Sequence, residues 1–158
     1  MKKILFAFVL IAGIWACDKD DPDNEGAPLE RLTGTGEKKW RLTKAIAYSS
    51  GAEVDLIHNS ANRCLGDNEL TLRKEGTYLL EDTGVKCSEV DRIEDVWQFN
   101  KEPLQIKLAE ISLLGRSFNN VVLDIKELKN STFSGAINQV PTNSLNVNKI
   151  ELTFSEFK

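Results

Sequence analysis

Val121-Val122-Leu123-Asp124-Ile125-Lys126 sends Val121, Leu123 and Ile125 to one side of an extended chain and Val122, Asp124 and Lys126 to the other. A period of two is the mark of a strand with one face buried. The same alternation recurs outward from this stretch. Leu104, Ile106 and Leu108 alternate with Gln105 and Lys107, and Ile150, Leu152 and Phe154 alternate with Glu151 and Thr153. Toward the N-terminus, Trp40, Leu42, Ile46 and Tyr48 share one parity, followed by Leu70 and Leu72. Gly51, Gly66, Gly76, Gly84, Gly115 and Gly135, with Pro103 and Pro141, stand between the runs, where turns are needed. The pattern predicts strands near 40–48, 53–58, 68–73, 77–82, 93–100, 104–109, 118–128, 131–137 and 149–155. No stretch after residue 40 carries a helical stripe, so antiparallel strands must bury one another. Closure into a small up-and-down β-barrel of about eight strands leaves no edge exposed. Pro28 at the start and Gly34 at the end of Pro-Leu-Glu-Arg-Leu-Thr-Gly predict one short helix ahead of the sheet.

Composition narrows the function. The chain has 158 residues, a net charge of -4 and 41% hydrophobic residues, enough for one domain. An acidic chain offers no basic patch for phosphates, so nucleic acid is not an expected partner. One histidine and three cysteines leave little from which to build catalytic or metal clusters.

Met1-Lys2-Lys3 is basic, and Ile4 to Ala16 is uncharged and almost wholly apolar. A membrane-spanning helix needs about 20 such residues, so residues 1–16 are expected to be a removable export signal. Ile14-Trp15-Ala16-Cys17 resembles a bacterial lipobox, which implies that Cys17 becomes the acylated N-terminus. Residues 17–29 are expected to form an acidic flexible tether, because Asp18 to Gly26 has no apolar side chain to bury. Lys19-Asp20-Asp21 resembles the acidic export signal of Bacteroidetes surface lipoproteins. A calcium loop is excluded, since Pro22, Asp23 and Leu29 occupy the third-ligand, sharp-turn and bidentate positions.

The domain expected over 30–158 carries Leu32-Thr33-Gly34, Trp40-Arg41-Leu42-Thr43, Leu70-x-Leu72 with Gly76-Thr77-Tyr78, Trp97-Gln98-Phe99 and Leu104-x-Ile106. In that order these motifs resemble the lipocalin-like domains of Bacteroidetes lipoproteins. The resemblance implies a calycin-type barrel on a lipid anchor, in a family whose members mostly lack a known activity. The expected location is the outer membrane, surface-exposed, with the periplasmic face as the alternative.

With Cys17 committed to lipid, Cys64 and Cys87 remain as one pair in an oxidising compartment, and a disulfide is expected between them. His58 lies near Asp55 and Ser60, and Glu89, Asp91, Glu94 and Asp95 form an acidic cluster. The first reads as a strand-end histidine and the second as a solvated loop, so no catalytic residue, metal site or cofactor is expected. Trp40, Tyr78, Trp97 and Phe99 are the candidate ligand-cavity residues, because an eight-stranded barrel is either filled by such rings or holds one small ligand. The expectation is a non-enzymatic binding protein for a small apolar or amphiphilic molecule. The alternative is an accessory protein with a packed barrel that meets a glycan or protein through its loops.

Overall fold

The strand β1 (Glu37–Ser49) is long enough to serve three neighbours. A computed structural model of the chain describes residues 27–86, 89–113, 116–140 and 147–158, without the side chains of 60–63. Cys17, Cys87 and most of the expected signal and tether lie outside the described residues. A helix, α1 (Pro28–Thr33), precedes β1, and Leu29 packs against the core. After β1 come β2 (Ala52–Asp55), a 3-10 turn over Ser60–Asp67, β3 (Asn68–Arg73) and β4 (Thr77–Asp82). Then follow β5 (Arg92–Asn100), β6 (Gln105–Leu113), β7 (Arg116–Leu128), β8 (Thr132–Ile137) and β9 (Lys149–Glu156).

Every neighbouring pair is antiparallel, and β1 pairs with β9, which closes β1, β3, β4, β5, β6, β7, β8 and β9 into an eight-stranded barrel. The short β2 lies outside the ring, on the upper half of β1 from Ile46 to Ser49. We call the end where β1 begins the lower end. There α1 packs against β1 and β3, burying Leu32 and Thr33 completely. The Trp40 indole donates its N–H to the Leu32 carbonyl at 2.9 Å and meets Phe133 edge-on, which in turn stacks on Phe154. At the upper end the 3-10 turn packs against β1 and β4 and buries Cys64 and Leu65.

The strands match the sequence periodicity closely, apart from three irregularities, one of them a register shift between Ile125 and Glu127 where β7 meets β8. Ile46 and Tyr48 do not share the buried side of Trp40 and Leu42. A bulge between Leu42 and Lys44 inserts one extra residue opposite β9, so Ala45 and Ala47 turn inward instead. Tyr48 consequently points outward, donating its hydroxyl to Glu151 at 2.9 Å. The second shift occurs in β6 and β7 together. Ile106 and Leu108 are buried, then Ile111 and Leu113; on the partner Val121 and Leu123 are buried, then Phe118. Asn120, at φ 54°, marks the place where the pair turns over. The strand expected to reach 58 stops at Asp55, whose carboxylate accepts the N–H groups of Ile57 and His58 and turns the chain.

Beyond that turnover the β6–β7 ribbon leaves its neighbours. The β5–β6 ladder ends at Trp97↔Leu108, and the β7–β8 ladder starts only at Asp124↔Ala136. Ile111, Leu113 and Phe118 hold the ribbon down by packing into the core rather than by backbone pairing to β5 or β8. One polar stitch reinforces this. The Tyr78 hydroxyl, crossing from β4, accepts the Glu110 N–H at 3.1 Å and donates to the Glu110 carbonyl.

Candidate functional site

The four expected cavity residues occupy structural posts. Trp40 and Tyr78 are fully buried, with their polar edges committed to the Leu32 and Glu110 backbone. Trp97 is buried and donates its indole N–H to the Arg73 carbonyl at 2.9 Å, securing the β3–β4 turn. Phe99 is half-buried against the core. None of the four lines the central space of the barrel. That space is walled by aliphatic side chains such as Leu42, Leu70, Leu108 and Leu152, and its volume is about 50 Å³. Small-molecule pockets run from roughly 300 Å³ upward, so the interior is too small to hold such a ligand. Its polar residues are Ser112 and Asn68, the latter 8% exposed with a side-chain oxygen that has no hydrogen-bond partner among the described residues.

A much larger concavity, about 470 Å³, lies outside the barrel. Its wall is the outward face of the β6–β7 pair, with Gln105, Asn120, Val122 and Asp124, and its rim is Asn138, Gln139 and Val140 just past β8. Gln105 and Asp124 are cross-strand partners, so their side chains share a face by register. The Gln105 amide donates to one Asp124 oxygen and the Asn138 amide to the other, each at 2.6 Å. One carboxylate thereby fixes two amides from separate elements. Asn120 reaches the groove from a left-handed backbone conformation that asparagine tolerates better than most residues. Among the described residues no lysine or arginine lines the groove.

The other candidate groups are paired structurally. Asp55 accepts the His58 backbone N–H and contacts its ring at 2.8 Å, which lowers the Asp55 pKa, but the histidine side chain is 79% exposed. The Ser60 side chain lies outside those described. In the acidic cluster, Glu94 is bridged by Arg73 and Arg92, which lower its pKa in that order, and Asp91 pairs with Lys86. Among the described residues no three histidine, cysteine or acidic side chains are grouped to hold a metal. A smaller outer depression of about 210 Å³ involves Lys44, Lys126 and Glu151. Glu151 is held at about 2 by Lys149 and then Tyr48.

Sequence reasoning missed the groove, since its amides come from positions 105, 120, 138 and 139, on or after three different strands. The Asn119-Asn120 pair inside a strand was the available signal, because such residues favour irregular backbone there. Cys64 is buried, while Cys87 lies outside the described residues. The segment leading to Cys87 is nevertheless tied to the turn that carries Cys64: Thr83 donates to the Asp67 carbonyl and the Val85 N–H to the Asp67 carboxylate, both at 2.8 Å.

The eight-stranded barrel fits a lipocalin-like fold. No protein-family model matches the chain, and no curated protein matches it.

Proposed function

We propose that this chain is a non-enzymatic, lipid-anchored accessory protein whose working surface is the outer wall of a filled barrel. The observation that carries this reading is the contrast between an interior space of about 50 Å³ and an outer groove of about 470 Å³. A carrier of apolar ligands needs the opposite distribution.

The anchor in this proposal is an acyl group on Cys17, with the chain exported to the outer membrane and exposed at the surface. Nine residues separate Cys17 from Ala27, a reach of at most about 35 Å when extended. Because α1 packs on the lower end of the barrel, such a tether holds that end toward the membrane. The β1–β2 turn, residues 83–86 after β4 and the rim after β8 then face away from it. Loops and unpaired ribbons on a rigid frame are where recognition is usually carried.

Metabolic labelling with a fatty-acid analogue tests the anchor. Label is expected on the wild-type chain and not on Cys17→Ser, which should also leave the membrane fraction. A wild-type chain that takes up no label overturns the lipid-anchored reading.

A further inference from the structure

The outer groove has a chemistry more specific than a general docking surface, and assigning it a ligand class rests on the proposal that the outer wall is the working surface. We propose that the groove formed by Gln105, Asn120, Asp124, Asn138 and Gln139 binds a neutral saccharide.

Hydrogen-bond capacity comes first. A carboxamide has a carbonyl oxygen and two N–H groups, so it can accept from one hydroxyl and donate to the next. Vicinal hydroxyls of a sugar present that same alternation of donor and acceptor. Gln105 and Asn138 each spend an N–H on Asp124, at 2.6 Å, which leaves each amide its carbonyl oxygen and a second N–H. The two are already oriented, so a ligand does not have to order them. Asp124 uses one lone-pair position on each oxygen for these bonds and retains others for a hydroxyl donor.

Charge then narrows the class. Phosphate, sulfate or carboxylate groups are recognised by arginine or lysine, and among the described residues none lines this groove. An anionic ligand would face Asp124, and Lys107, which shares this face as the cross-strand partner of Val122, is not among the lining residues. A divalent cation is also disfavoured, because both Asp124 oxygens already accept amide hydrogens and Asp124 is the one charged group among the described lining residues. Val122, 37% exposed, and Val140 supply apolar surface for the C–H face of a sugar ring. The volume, about 470 Å³, lies within the roughly 300 to 1,000 Å³ usual for small-ligand sites. The groove therefore offers a neutral, hydroxyl-matched wall with a small apolar floor.

The experiment uses the full acylated chain in detergent micelles on an array of neutral and acidic oligosaccharides, followed by calorimetric titration with the strongest neutral binder. Asn138→Ala and Gln105→Ala are each expected to weaken binding by roughly tenfold, the weight of one lost hydrogen-bonding partner. Lys44→Ala, outside the groove, should leave binding unchanged, and all three variants should keep the wild-type circular dichroism. Binding that persists in EDTA supports direct contact; binding abolished by EDTA overturns it. A silent array with folded protein, or wild-type affinity in both groove variants, overturns the saccharide proposal. If an extended-peptide library then binds in a manner lost in Asn138→Ala, the saccharide assignment fails while the outer-wall reading stands. If neither array binds and the protein instead retains an apolar molecule, both fail.

Discussion

The lower and upper halves of this barrel are held by different forces. Below, each strand of the ring is laddered to both its neighbours, with bulges at Leu42/Lys44 and Ile125/Glu127, and α1, Trp40, Phe133 and Phe154 fill the end. Above, the β6–β7 ribbon pairs only with itself beyond Leu108 and Asp124, and it is retained by Ile111, Leu113, Phe118 and the Tyr78 hydroxyl. Regions held by packing without a backbone ladder open at lower free energy than the cooperative core. The groove straddles the two, with Asn120 and Val122 on this less constrained ribbon and Gln105 and Asp124 on the laddered frame. A barrel can thus devote one end to stability and set recognition where the freer end meets it.

The comparison breaks most visibly if large truncations cost the same at both ends. Trp40→Ala removes a fully buried indole, its hydrogen bond to Leu32 and its contact with Phe133, and should cost about 5 kcal/mol in denaturant unfolding. Phe118→Ala, on the ribbon, should cost closer to about 3 kcal/mol because the ribbon can settle into the gap. Equal losses, or the reverse order, would remove the distinction between the halves.

A Cys64–Cys87 bond would staple the upper half, and alkylation of denatured, unreduced protein should find neither thiol free. Replacing both residues by serine should then cost about 3 kcal/mol in the chain-entropy account. Two alkylated thiols in that sample would exclude the bond.

Tyr78→Phe sharpens the comparison further. It leaves the Glu110 N–H and carbonyl without their partner, at a cost of about 1 to 3 kcal/mol. Amide exchange over 109–120 should accelerate much more than exchange in the β1–β9 ladder. Uniform acceleration would mean that the stitch belongs to the global core.

The smallest effect concerns pH. The Glu151 carboxyl sits at about 2 in the folded chain against an ordinary 4.5, mainly through Lys149 and then Tyr48. A depressed folded value contributes stability that is complete above about 4.5 and is lost as pH falls toward 2. Partial exposure screens the gain, so it should be modest. Thermal melts between pH 5 and 2 should therefore fall less steeply for Glu151→Gln than for the wild type; identical slopes would refute the assignment.

The strand count, the barrel and the leading helix were legible because alternation is a local property of the chain. Trp40, Leu42, Ile106 and Leu152 all lie on the buried side their spacing implies. Phase beyond an irregularity was not legible. The bulge at Leu42/Lys44 turned Tyr48 outward, and the turnover at Asn120 placed Phe118 inward, because each depends on the partner strand. The aromatics were recognisable as buried, but their hydrogen-bond partners, Leu32, Glu110 and Arg73, are set by tertiary geometry. The groove was invisible for the same reason: Gln105, Asp124 and Asn138 meet only through register and closure.

Native mass spectrometry of the protein taken from its own membrane tests most directly whether the barrel is filled and works from its outer wall. The expected spectrum shows the acylated chain with no small apolar molecule retained through mild detergent removal. A stoichiometric apolar adduct, displaced by a fluorescent apolar probe that quenches Trp40 and Trp97, would contradict the account and restore the interior as the binding site.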